Sequence, residues 1–289
     1  MPALVLADLD QRPELRPAAA ALFAACPPGH DHQVCGIPER MGLDPQPEDL
    51  TDCLGVLLAL SGIRLVGALA LCPYSAQQVT LWGPAITERA NAKPIAAKLM
   101  REARVALRSA GYESMRCLVD TRNRSARAIL QSHGFSAWKD NHLYERHLVR
   151  LAASEVTGFR AASKVDHPGI ARVLVESFPE SDHCQPGLAT RESEGFRHYL
   201  LEDRDRIVAA AAVDGIGRRS WLKMIAVERQ NRGRKLSRKL LSGILAAEAK
   251  LQVRSIGLEV LADNVEANAL YAHSGFDRKW TAAIMTAAL

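Results

Sequence analysis

Apolar residues recur along the chain at two spacings, and the alternation between them predicts strands and helices in turn. Leu236, Leu240, Leu241, Ile244 and Leu245 fall on one face of a helix. Before them, residues 221–227 form a nearly continuous apolar strand, and after them Ile256, Leu258 and Val260 alternate with Gly257 and Glu259 as in a half-buried strand. Residues 264–271 predict a short helix closed at its C-terminal end by Gly275. Upstream, the same rules predict strands over 157–161, 196–201 and 206–213, a helix over 168–177, and a loop with a short helix before Gly195. In the first half they predict strands over 4–6, 79–86 and 115–119 and helices over 14–25, 93–109 and 125–132, with closing strands to Leu148. The run 53–72 is long enough to suggest a membrane span, but Arg64 and the Ser61-Gly62 break divide it into two strands of a buried hairpin.

The pattern repeats. An offset of 141 carries Asn264 onto Asn123, Ala267 onto Ala126, Gly275 onto Gly134 and Phe276 onto Phe135. It also carries Leu240 onto Leu99, Leu236 onto Ile95 and Val227 onto Ile86. One offset holding from strand through helix to Gly-Phe implies two copies of one fold in tandem, 1–150 and 151–289, with a short join near 149–156. Each copy reads as α/β (α+β): a mixed, mostly antiparallel sheet flanked by helices.

The 289 residues suffice for two ordinary domains, and 48% hydrophobic with 24% charged residues is a globular composition. A net charge of +5 accommodates an anionic small molecule but is too small to argue for nucleic acid. The N-terminus meets Asp8 and Asp10 without a basic region, so the expectation is a cytoplasmic protein with reduced cysteines and no membrane segment; Cys53, Cys72 and Cys117 read as small core residues. The loop with Cys26, His30, His32 and Cys35 does not have structural-zinc spacing, and no metal is expected.

Charge is concentrated in one place. Six of the eleven residues 229–239 are cationic: Arg229, Arg232, Arg234, Lys235, Arg238 and Lys239. They surround the start of a predicted helix, whose N-terminus already carries partial positive charge and unpaired N–H groups. Such crowding is unfavourable unless an anion docks there, and a phosphate ligand accounts for both Gly233 and the cations.

Together the strand 221–227, the turn Arg232-Gly233-Arg234-Lys235-Leu236-Ser237 and the later Asn264, Ala267, Leu270, Tyr271, Gly275 and Phe276 resemble the Gcn5-related N-acetyltransferase (GNAT) superfamily. The later motif matches well; the turn departs, with Lys235 at the family's central glycine and Ser237 at its last small residue. The resemblance implies two tandem acyl-CoA N-acyltransferase-like domains and acetyl transfer from acetyl-CoA to a primary amine of a small molecule or peptide. It implies that Ile225, Ala226 and Val227 hold the pantetheine arm by their backbone, that Arg232, Gly233, Arg234, Lys235, Leu236 and Ser237 hold the diphosphate, and that Asn264 touches the arm. Tyr271 is then the acid toward the departing thiolate, and Glu228, just past the strand, the candidate base for the amine.

In the first copy the equivalents of Tyr271 and Lys235 are Leu130 and Pro94, so that copy reads as structural, with acetyl-CoA held by the second. Alternatives are a mycothiol-synthase-like acetylation of an aminoacyl sugar, suggested by the tandem architecture, and an inactive coenzyme A-sensing module, suggested by Lys235. Nucleic-acid binding through residues 229–239 would need a larger basic surface, and a homodimer is compatible with everything above. Glu180, Asp182 and His183, in the loop expected to shape the acceptor site, read as surface residues.

Overall fold

The computed structural model describes residues 4–25, 47–87, 91–148, 156–179, 185–216 and 218–289. Its first series of elements is β1 (Leu4–Asp8), α1 (Arg16–Ala24), β2 (Gly55–Ser61), β3 (Arg64–Pro73), β4 (Gln78–Ile86), α2 (Ala92–Ser109), β5 (Ser114–Asp120), α3 (Arg124–Ser132) and β6 (Ser136–His147). The second is β7 (Phe159–Ala161), α4 (His167–Val175), α5 (Gln185–Ser193), β8 (Phe196–Asp203), β9 (Arg206–Ile216), β10 (Arg219–Val227), α6 (Leu236–Lys250), β11 (Ser255–Leu261), α7 (Val265–His273) and β12 (Asp277–Ala288). The repeat is written into these boundaries: β10, β11, α7 and β12 begin and end 141 residues after β4, β5, α3 and β6. The first helix of each series breaks this offset, because the segment between it and the next described strand is longer in the first half.

Two compact units result, one of Met1–His142 with Trp280–Leu289, the other of Leu143–Lys279. The partition therefore crosses the chain twice, within β6 and within β12, where the repeat alone suggested a single join. Residues 149–155 of that expected join lie outside the described residues. In the first unit the strand order is β1-β2-β3-β4-β5-β12, antiparallel except for the parallel pair β4–β5. In the second it is β6-β11-β10-β9-β8-β7, with β10–β11 parallel and the pairs β9–β10, β8–β9 and β7–β8 antiparallel.

Each sheet is covered on both faces. In the first unit Ile95, Leu99, Met100 and Leu107 of α2 pack against Leu69, Leu81, Met115 and Met285. On the opposite face α1 stacks Phe23 on Trp82 with ring centroids 4.1 Å apart. In the second unit Leu240, Leu241 and Ile244 of α6 pack against Tyr199, Val213, Ile256 and Leu258. There α4 and α5 cover the other face through Ile170, Val173, Leu174 and Leu188. Cores of this extent supply the main driving force for folding, about 25 cal/mol per Å² of apolar surface buried.

The far end of α6 is pinned by a buried carboxylate. Glu248 accepts from Arg197 at 2.9 and 2.6 Å, from Tyr199 at 2.7 Å and from Ser220 at 2.5 Å. The apolar run 53–72 forms the hairpin β2–β3, and no helix among the described residues is long and apolar enough to cross a membrane.

Candidate active site

The parallel pair β10–β11 is short. Its register runs Arg219↔Ser255, Ser220↔Ile256 and Trp221↔Gly257, and then the pairing ends, although β10 continues to Val227 and β11 to Leu261. A bulge between Leu222 and Met224 accompanies the separation, while the opposite edge of β10 stays paired to β9 through Val227↔Ala209. Gly257 is needed at the last pair: a Cβ there would lie 2.5 Å from the Trp221 ring. Beyond it, among the described residues, no β10–β11 pairing continues on this side of β10. Lys223, Met224, Ile225 and Val227 are half-buried, with only Ala226 of this stretch fully enclosed. Ile225, Ala226 and Val227, expected to present backbone to a ligand arm, lie along this opened edge.

The turn that follows is shaped by left-handed residues. A single 3-10 turn (Arg229–Asn231) leads into extended Arg232, then Gly233 at φ +79° and Lys235 at φ +59°, ψ +20°. Lys235 thus adopts the backbone that glycine adopts at low cost, and a lysine there costs about 1 kcal/mol. Lys235 is also the N-cap of α6, and no side chain among the described residues caps that helix. The first N–H groups of α6, from Leu236 and Ser237 onward, therefore open toward the turn. Arg234 is drawn to Asp203 and Asn231, both at 2.7 Å, and Arg232 to the Val227 carbonyl at 3.2 Å. Lys235 and Arg238 are exposed and make no ion pair among the described residues.

Glu228 lies at the corner between strand and turn, and its carboxylate is heavily engaged. Its carboxylate accepts from Arg172, from Arg206 at 2.5 Å, from Gln230 at 3.0 Å and from Asn231 at 2.8 Å. Burial pushes its pKa up, but the Gln230 and Arg206 hydrogen bonds and the charges of Arg172 and Arg206 outweigh it, leaving the group below its ordinary value. A carboxylate so occupied ties α4, β9 and the turn together. Arg172 and Arg206 are the partners that sequence reasoning missed; neither lies in a recognisable motif.

Tyr271 sits on α7, 6% exposed, its ring 6.1 Å from Tyr144 and 5.8 Å from Phe276. Burial pushes its phenol up to about 12, so it holds its proton at neutral pH. Asn264 caps α7, accepting from Ala267 N–H at 3.1 Å. Its amide oxygen is committed to this cap, as that of Asn123 is to Ala126 at 3.0 Å in α3. A cavity of about 350 Å³ lies between α6 and the end of α7, lined by Arg146, Arg238, Ser242, His273, Ser274 and Gly275. Arg146 donates to the Ser274 carbonyl. No group of three or more His, Cys, Asp or Glu among the described residues is arranged to hold a metal; the Cys26, His30, His32 and Cys35 loop and Glu180, Asp182 and His183 lie outside them.

An opened strand pair beside an uncapped helix start leaves backbone N–H groups available to an anionic ligand. Residues 194–278 match the family model described as acetyltransferase (GNAT) domain. A GCN5-related N-acetyltransferase from Sphaerobacter thermophilus is 17% identical with a TM-score of 0.77, over 99% of this chain and 95% of that one. A tandem GNAT protein from the clavulanic acid biosynthesis pathway, solved without AcCoA, is 17% identical with a TM-score of 0.69, over 99% and 98%. A GNAT-family acetyltransferase from Colwellia psychrerythraea follows at 13% and 0.62, over 99% of each chain. A search of curated proteins returns no match. The whole chain has the fold of these acetyltransferases, and residues 194–278 match the GNAT acetyltransferase domain.

Proposed function

We propose that the chain is an acetyl-CoA-dependent N-acetyltransferase acting on a primary amine of a small molecule or peptide, with its active site in the unit Leu143–Lys279. The observation that carries this reading is the exposed β10 edge running directly into the left-handed Gly233–Lys235 turn and the uncapped start of α6. Acetyl-CoA supplies the activated acetyl thioester. The backbone of Ile225, Ala226 and Val227 holds its arm, and an N–H of this edge polarises the thioester carbonyl. The N–H groups of Leu236 and Ser237, with Gly233 and the side chains of Arg232, Arg234 and Lys235, hold the diphosphate. Asn264 borders the arm through its amide NH₂, and protonated Tyr271 donates toward the leaving sulfur. Glu228 is assigned to clamping the turn, which leaves deprotonation of the amine to water.

Gly233→Ala tests the phosphate role cleanly. Among the described residues, apart from its chain neighbours, nothing lies within 4 Å of the added Cβ, so the substitution acts mainly on the left-handed backbone. Acetyl-CoA affinity should fall by up to about tenfold, with the fold intact by circular dichroism. Unchanged affinity would remove this turn from the binding site. Thiol release assayed against a panel of primary amines would define the acceptor.

A further inference from the structure

The first unit contains a pair of thiols that the acyl-transfer reading does not use. Cys53 lies in the bend that follows the 3-10 turn Pro47–Asp52, and Cys72 lies near the end of β3. Leu54 N–H donates to the Leu71 carbonyl at 2.8 Å, which holds the two segments side by side. The two sulfurs are 3.6 Å apart, and both residues are half-buried at the margin of the core beneath α1. Cys117 is the internal contrast. It is fully buried, its thiol directed at the Gly83 carbonyl at 3.7 Å, as a core cysteine should be. The sequence placed all three cysteines in one class; the fold separates them.

A disulfide requires sulfurs about 2 Å apart. The two cysteines lie on segments already held side by side, with their sulfurs 3.6 Å apart. Partial exposure gives a small oxidant access to at least one sulfur, and the second thiol is in place to resolve the adduct.

We infer that Cys53 and Cys72 form a redox-active dithiol that exchanges with low-molecular-weight disulfides. One cysteine thiolate attacks the small disulfide, forming a mixed disulfide and expelling one thiolate. The second cysteine thiolate attacks the protein sulfur of that adduct, forms the Cys53–Cys72 bond and expels the other half of the reagent. The protein dithiol loses two electrons and two protons, and the reagent disulfide becomes two thiols. Closure ties the entry of β2 to the end of β3.

The test uses the full chain, native and reduced, incubated with oxidised glutathione, then unfolded, alkylated and mapped by mass spectrometry. The expected product is a Cys53–Cys72 linked peptide lighter by two hydrogens, reversed by dithiothreitol, with Cys117 fully alkylated. In Cys53→Ser and Cys72→Ser the remaining partner should keep a stable glutathione adduct that the unsubstituted protein does not accumulate. Cys53 and Cys72 both alkylated, both glutathionylated, or linked instead to Cys26 or Cys35 would overturn the proposal.

Discussion

The two units are built to one plan and differ where a ligand would enter. In the second, the parallel pair ends at Trp221–Gly257 and the freed edge of β10 is half-exposed. In the first, the equivalent pair ends at Leu81–Cys117, and every residue from Val79 to Ile86 is buried. Phe23 stacks on Trp82, and the Cys117 thiol reaches the Gly83 carbonyl. At the position of Ile225 stands Pro84, which has no N–H to offer. The turns differ in the same sense. α2 starts at Ala92, three residues earlier than the repeat offset requires, so Pro94 lies inside its first turn where Lys235 forms a left-handed corner. In the first unit the strand is thus buried throughout, and the equivalent of Lys235 lies within helix. Divergence of this kind leaves the sheet and its core intact, because the elements that changed are not those that pack it.

Tyr271→Phe should lower turnover about 100-fold with acetyl-CoA affinity unchanged, since the phenol is given a role in proton donation alone. Unaltered turnover, with chemistry shown to be rate-limiting, would make Tyr271 equivalent to Leu130, a core residue. Glu228→Gln should cost about 1–2 kcal/mol in stability, because partly exposed Arg172 and Arg206 lose a charge-assisted acceptor. It should also weaken acetyl-CoA binding severalfold; chemical denaturation and titration calorimetry read the two effects separately. If Glu228 were instead the base, the loss would fall on turnover with stability unchanged.

Acid should act on the second unit through His198. Burial holds its imidazole below the ordinary 6.5, against the pull of Glu192 and with the help of Arg191 and His167. The unfolded chain therefore takes up this proton first, and stability falls as pH drops through about 6.5, levelling off below the folded-state value. Tm measured from pH 8 to 5.5 should decline, and His198→Phe should flatten that decline. The smallest effect belongs to Lys235→Gly. Relief of the left-handed backbone, offset by the entropy of glycine, should raise stability by about 0.5 kcal/mol. The loss of a cation should make acetyl-CoA binding less dependent on salt.

Much of this was legible in the chain. The offset of 141 found the repeat because strands, helices and the Gly-Phe corner obey local rules of periodicity and capping, and the boundaries of β10, β11, α7 and β12 honour it. Glycine's absence at 235 was visible too, and the backbone at that position is left-handed as a glycine site would be. What the chain did not reveal was long-range. Arg172 and Arg206 converge on Glu228 from other elements, Cys53 meets Cys72 across a hairpin edge, and Trp280–Leu289 completes the sheet of the first unit. None of these contacts leaves a local pattern, since each depends on where distant strands lie in the sheet. Glu228 illustrates the same limit: proximity to the strand end identified it, while the partners on which its proposed clamping role rests come from distant elements.

The central claim is asymmetry, one open cleft per chain. Titration calorimetry with acetyl-CoA measures it directly. The expected result is a stoichiometry of one per chain, with affinity weakened by Gly233→Ala and unchanged by Pro84→Ala. Two sites per chain, or a single site whose affinity is unchanged by Gly233→Ala and lost on changing Trp82 or Pro84, would contradict it.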